Sequence, residues 1–254
     1  MDCEDPHLLR HYPEARFGGY ADVDGTVVFY NRVHALLRPT DVVLDAGCGR
    51  GSHAEDACEW RRALQDLRLR VARVIGLDAD PGAAGNPVVH QFILAAATPW
   101  PLPDASVDLV LCDFVIEHLE DPQRFFAEVR RVLRPGGHFC ARTTNRHSYV
   151  GLLARCIPRR WHARALATAQ PTRQGIDVFP ARYRCNTVGA LRRMLDSQEF
   201  EGVVYGYEAA PGYLAFSALA YRLGVWFQRL APGRFKPTLF VFARRTARAL
   251  TPSR

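Results

Sequence analysis

Apolar positions between residues 41 and 144 switch repeatedly between a period of two and a period of 3.6. Val42-Val43-Leu44 is a short apolar run that ends at Asp45 and leads through Ala-Gly-Cys-Gly-Arg-Gly into a helical stretch from Ser52 to about Leu67. A second strand is predicted over Val71 to Leu77, ending at Asp78, and a third over Val88 to Leu94 after the turn residues of DPGAAGNP. TPWPLPDAS holds three prolines and reads as loop. Val107 to Val115 is nearly continuously apolar, as suits a central parallel strand covered on both faces. Asp121 then caps a helix with Pro122 in its first turn and Phe125, Val129 and Val132 on one face, which stops at Arg134-Pro135-Gly136-Gly137. A fifth strand runs from His138 to about Thr144, and the strict alternation predicts an α/β, doubly wound sheet.

After Thr144 the alternation pauses. Residues 146–185 are rich in Arg, Pro and Gln and are read as a cap inserted after strand five. A helix from about Thr187 to Leu195 and strands at Phe200–Tyr207 and Leu239–Ala243 complete a single domain, with its core in 35–145 and 186–246. Between the two late strands, about 212–231, Tyr213, Phe216, Ala220, Leu223, Phe227 and Leu230 recur at three- and four-residue spacing. This predicts an amphipathic helix with an aromatic face, suited either to packing on the sheet or to lying in a membrane interface.

A length of 254 residues, 48% hydrophobic and 23% charged, suits one globular domain and excludes a disordered, collagen-like or disulfide-framework protein. Seven scattered cysteines with no C-x-x-C pair lead us to expect a reducing, cytoplasmic setting and no thiolate zinc site. The acidic start and the lack of a long apolar run predict neither a secretory leader nor a membrane span. Charge is unevenly placed: residues 1–145 carry 15 basic and 21 acidic side chains, residues 146–254 carry 18 and 5. A cationic ligand suits the first part and an anionic substrate or lipid surface the second, although a genome favouring arginine would give the same count.

VVLDAGCGRG, between a strand and a helix, is the strongest motif. Gly47, Gly49 and Gly51 give G-x-G-x-G, with Ser52 where the third glycine of a dinucleotide fingerprint belongs, and the loop lacks the G-K-[ST] ending of a P-loop. Asp45 at its mouth would repel a pyrophosphate but could pair with an ammonium group. Asp78, at the tip of the second strand, can accept both hydroxyls of a ribose. S-adenosylmethionine meets both demands.

VLDAGCGRG, IGLDAD, PLPDASVDLVLCDFVIEHLEDP and FFAEVRRVLRPGGHF, in this order, resemble the class I SAM-dependent methyltransferases. Within them the chain looks like the small-molecule group of the ubiquinone and menaquinone pathway enzymes, closely over residues 41–145 and loosely elsewhere. The resemblance implies a Rossmann-like sheet of seven strands with an antiparallel last strand beside the fifth. It implies that Asp45, Ala46, Gly47, Cys48, Gly49 and Gly51 hold the methionine end, that Asp78 with Ala79 holds the ribose, and that Asp113 and Phe114 line the sulfonium and acceptor side. Where relatives carry an adenine-contacting acid, this chain reads Ala96-Ala97-Thr98-Pro99, which leaves backbone groups, Thr98 or apolar contacts for the adenine.

An already electrophilic methyl group needs mainly alignment with a nucleophile and exclusion of water; a base is required only for an un-ionised acceptor. His118 and His147 follow strands four and five, where an acceptor would sit, and are the candidate bases, with Arg146 a candidate anion clamp. Glu117-His118 recurs among similar enzymes with unlike substrates, so His118 equally suits closing the turn or touching the cofactor. Relatives that bind a divalent ion carry a glutamate where Phe114 stands, so no metal is expected. The expected partners are a small-molecule or lipid-linked acceptor and, at the periphery, an anionic membrane. The alternatives are a protein that holds the cofactor without catalysis and an RNA or other nucleic-acid methyltransferase. Nucleic acid is not the expected acceptor, because strand four ends in CDFV and not in an N-P-P-Y type motif, and no RNA-binding module is appended.

Overall fold

A computed structural model describes residues 5–148 and 180–246. Among them seven strands form one sheet: β1 (Val42–Ala46), β2 (Arg73–Asp78), β3 (Gln91–Leu94), β4 (Val107–Asp113), β5 (Leu133–Thr144), β6 (Phe200–Tyr207) and β7 (Thr238–Arg245). Their order is β3-β2-β1-β4-β5-β7-β6, with β7 antiparallel to both of its neighbours and the other pairings parallel. This is the expected Rossmann-like architecture. The order reverses between β1 and β4, where open α/β sheets place their ligands. Ala46, Asp78, Asp113, Thr144 and Tyr207 therefore end at one rim, and β7 begins there, with Thr238 opposite both Thr144 and Tyr207.

Helices cover both faces. Phe125, Phe126, Val129 and Val132 of α4 (Pro122–Val132) and Leu191 and Leu195 of α5 (Val188–Ser197) pack on one side around Phe139 and Val110. On the other, Val27, Phe29, Tyr30 and Val33 of α2 (Gly25–Leu36) and Leu64 of α3 (Glu59–Gln65) meet Val43, Leu109 and Phe240. A third, small core joins Leu8 of α1 (Pro6–His11) and Tyr12 to Tyr221 and Val225 of α6 (Ala218–Leu230).

Several boundaries differ from expectation. The helix expected over 52–67 is broken into a 3-10 turn, Ser52–Glu55, and α3. Between them Asp56 accepts from Cys58 N–H at 2.8 Å and grips Arg61 through Nε and Nη2, so side-chain bonding replaces the helical ladder. Arg134-Pro135-Gly136-Gly137 lies inside β5, beside a register shift between Val107 and Leu109 of β4. α1 and α2 were not expected; Asp5 and Asp24 cap them, Asp24 accepting from Thr26 and Val27 N–H. Of the segment 146–185 read as a cap, 149–179 lies outside the described residues.

The stripe expected over 212–231 is out of phase. A 3-10 turn, Gly212–Leu214, precedes α6, whose buried side is Tyr221, Gly224, Val225 and Gln228, while Phe216, Leu223 and Leu230 are exposed. Gly224 lets the helix lie against Pro211, whose Cβ would be 2.6 Å from an added side chain. Gln228 accepts from the Tyr12 hydroxyl and donates to Glu208 O at 3.2 Å. A glycine and a hydrogen-bonding glutamine thus take inward positions that apolar spacing alone assigns elsewhere.

Candidate active site

The loop after β1 is built by its glycines. Gly47 (φ +82°) and Gly51 (φ +73°) lie in the left-handed region, where added side chains would strike Val115 Cγ2 at 2.3 Å and Asn86 Oδ1 at 2.5 Å. Gly49 (φ +55°) differs: a Cβ there would meet nothing within 4 Å, so its bare face borders open space. Asn86, which sequence reasoning missed, clamps the loop by donating from Nδ2 to the carbonyls of Cys48 and Gly49, each at 3.0 Å. Cys48 packs behind the loop against Gly76, and burial pushes its thiol up to about 12, so it acts by shape and not as a nucleophile. Ala46 is wholly buried in the core.

Three carboxylates crowd the tips of adjacent strands. Asp78 accepts from Gly49 N–H at 2.8 Å and from Asp80 N–H at 2.9 Å. Asp113 receives Arg142 Nη2 at 2.8 Å, a second bond from Arg142 Nε and the Tyr30 hydroxyl at 3.1 Å. No described residue hydrogen-bonds the side chain of Asp45. Burial first, then the charges of Asp113 and Asp78, raise its carboxyl to about 7. Among the described residues these three carboxylates have one cation between them, Arg142, an excess of two negative charges when all are ionised, which fits a cationic ligand and disfavours a phosphorylated one. The open face of Gly49 leaves room for that ligand beside the backbone.

Arg142 was also missed. Its guanidinium donates to Thr26 Oγ1 at 2.9 Å and lies over the rings of Phe114 (5.0 Å), Phe29 (5.4 Å) and Tyr30 (5.5 Å). An arginine in the apolar run HFCARTT was the available signal, because a buried guanidinium demands a carboxylate. It ties Asp113 to the protein, so that carboxylate reaches the crevice as half of an ion pair. Phe114 holds φ +54°, a sparsely populated conformation for an aromatic residue, and its ring is partly exposed at the rim. His53, in the turn after the loop, has a buried Nε2 without a hydrogen-bond partner, and burial pulls its pKa down.

Ala79 follows Asp78 at the end of β2, and Thr98, half-buried, stands in the loop after β3. His118 and His147 both lie at the carboxyl rim. His118 Nδ1 is 3.3 Å from Pro180 O, and His147 is exposed, its N–H donating to Asn145 Oδ1 at 3.0 Å. Buried Glu117 joins their two segments, accepting from Thr143 Oγ1 at 2.6 Å and Thr144 Oγ1 at 3.1 Å, while its carbonyl accepts from Arg182 and Tyr183 N–H. Of the arginines expected in the cap, Arg155, Arg159, Arg160, Arg164 and Arg173 lie outside the described residues, and Arg182 donates to Glu120.

Residues 44–141 match a family model described as a methyltransferase domain. The chain is 41% identical over 127 residues to a probable S-adenosylmethionine-dependent methyltransferase of Mycolicibacterium smegmatis, covering 48% of this chain and 45% of that protein. It is 35% identical over 103 residues to a malonyl-acyl-carrier-protein O-methyltransferase of Serratia marcescens, covering 39% and 36%. The chain thus spans less than half the length of these curated relatives. An S-adenosylmethionine-dependent methyltransferase structure from Mesorhizobium loti superposes with a TM-score of 0.53 at 21% identity, covering 85% of this chain and 96% of that one. A geranyl diphosphate C-methyltransferase from Streptomyces coelicolor A3(2) gives 0.52 at 15%, covering 87% and 75%. Both share the fold.

Proposed function

We propose, from the premise that residues 44–141 are a methyltransferase domain whose relatives use S-adenosylmethionine, that the chain transfers a methyl group from that cofactor to a small-molecule or lipid-linked acceptor. The observation that carries this reading is Asp45, a half-buried carboxylate without a counter-charge beside an open glycine face. In this reading Asp45 and the Gly47–Gly51 backbone take the amino-acid end. Asp78 and Ala79 hold the ribose, Asp78 with lone pairs left over from the Gly49 and Asp80 amides. Thr98 lies toward the adenine, and Asp113 and Phe114 line the acceptor side. The bound cofactor supplies an electrophilic methyl group. The chain supplies alignment and exclusion of water, and His118 or His147 accepts the proton of an acceptor that arrives un-ionised.

Calorimetry with S-adenosylmethionine and its demethylated product, followed by counting of labelled methyl groups moved into lipid extract, metabolite pool or RNA, tests the assignment. Saturable binding lost in Asp78→Ala, with label in the lipid or metabolite fraction, is the expected result. Binding without any transfer would favour a cofactor-holding protein, label in RNA a nucleic-acid enzyme, and no binding at all would end the reading.

A further inference from the structure

The outward side of α6 is apolar where a helix on a protein surface is normally polar. Phe216 (77% exposed), Leu219 (58%), Leu223 (62%), Trp226 (64%) and Leu230 (72%) follow one another at three- and four-residue spacing and face solvent together. The opposite side of the helix is already satisfied by the small core around Tyr12, Tyr221 and Val225. Packing within the chain therefore leaves the exposed stripe without an occupant among the described residues, and large exposed apolar patches mark interaction surfaces.

Charge restricts what can cover it. Residues 209–254 contain no aspartate or glutamate and eight basic residues. Arg222 and Arg229 are exposed along one flank of the stripe, and Arg10 of α1 belongs to the same basic cluster, since Arg10, Arg222 and Arg229 all bear on His11. Asp5, Glu14 and Asp22 of the N-terminal segment lie behind the stripe, toward Tyr12 and Tyr221, Asp5 capping α1 and Glu14 accepting from Asp22 N–H at 3.3 Å. A second copy meeting the same face would bring arginine against arginine. A surface of anionic headgroups over an apolar layer matches both the stripe and its flank.

Topology places the helix. β6 ends and β7 begins at the rim where β1, β2, β4 and β5 end, and α6 is the connection between them. The stripe therefore belongs to the end of the sheet that carries the glycine loop and both candidate histidines. We infer that Phe216 and the Leu219–Leu230 face of α6 form a docking surface for an anionic bilayer and hold the mouth of the site toward the membrane. This rests on the proposed function only for the route of the acceptor; the surface itself does not depend on it.

Co-sedimentation of the full chain with vesicles of phosphatidylcholine, alone or with about a third phosphatidylglycerol, tests the inference. Partition onto the anionic vesicles should be stronger by roughly tenfold or more, given two flanking arginines, and should fall with added salt. Leu223→Asp with Trp226→Asp should abolish it, and Arg222→Gln with Arg229→Gln should reduce it to the phosphatidylcholine level. Calorimetric binding of S-adenosylmethionine should be unchanged in both double variants, which separates loss of docking from loss of fold or of the cofactor site. The inference is overturned if wild type does not sediment, if the aspartate pair sediments equally, or if that pair instead abolishes a self-association seen without vesicles. Docking with no cofactor binding would leave this surface standing and remove the function proposed for the site.

Discussion

Asp45 links the chemistry of one side chain to the behaviour of the site. Its raised pKa means that the folded protein without ligand binds a proton there between the ordinary carboxylate range and about pH 7. This group's contribution to stability therefore declines as pH rises through that window. A cationic ligand prefers the ionised form, so its affinity should rise with pH across the same window. Calorimetric titration with S-adenosylmethionine between about pH 5 and 7.5, below the range where an α-amino group loses its proton, should show tighter binding as pH rises, and Asp45→Asn should flatten the profile and weaken binding at about pH 7.5 by on the order of tenfold. The glycines offer a sharper contrast. Gly47→Ala collides with Val115 and should lower the melting temperature as well as binding. Gly49→Ala meets no protein atom, so beyond a left-handed penalty of about 1 kcal/mol it should fold normally yet fail to bind. Asp45, Asp78 and the glycines are legible in sequence because each sits at a strand tip marked by its motif. Arg142 and Asn86 are not, since their partners, Asp113 and the Cys48 carbonyl, come together only when β4, β5 and the loops pack.

At the scale of elements, starts were easier to read than phases. Asp121 and Thr187 announce α4 and α5, and Asp24 would have announced α2 had its aspartate-glycine pair been weighed as a cap. Asp24 does more than cap, because Arg61 Nη1 lies 3.0 Å from its Oδ2 with both side chains almost fully buried. Asp24→Ala removes the cap and one of the two carboxylates that hold Arg61, and should destabilise the protein by about 3 kcal/mol in urea unfolding. Asp24→Asn, which preserves the cap acceptor, should lose less. α6 is a helix as its spacing predicts, and of the two placements that spacing leaves open, packing on the sheet is not the one that Leu223 and Leu230 take, since both are exposed. Apolar spacing reports where hydrophobic residues lie along a helix, not which of two apolar faces a neighbouring core accepts. Gly224 against Pro211 and Gln228 against Tyr12 decide that, and neither is an apolar-periodicity signal.

For the whole molecule, alternation over 41–144 was sufficient for the parallel half of the sheet, whereas the placement of β7 rested on resemblance. Its two-sided pairing makes it a keystone. His138–Thr144 of β5 pairs along one edge with Thr238–Arg244, and Phe200–Tyr207 of β6 has Thr238–Arg245 as its one neighbour in the sheet. A chain ending at Pro237 should therefore lose cooperative unfolding and cofactor binding together, measured by differential scanning calorimetry with and without S-adenosylmethionine. The expectation would fail if the shortened chain melted in a single sharp transition.

The seventh strand along the chain is the sixth across the sheet. On the ribosome, everything needed to build the crevice has therefore emerged before the piece that closes the wall beside it. Until that piece arrives, two bare β-edges face each other across a gap one strand wide. That intermediate, more than the finished protein, is what a chaperone has to guard from joining itself to a neighbour.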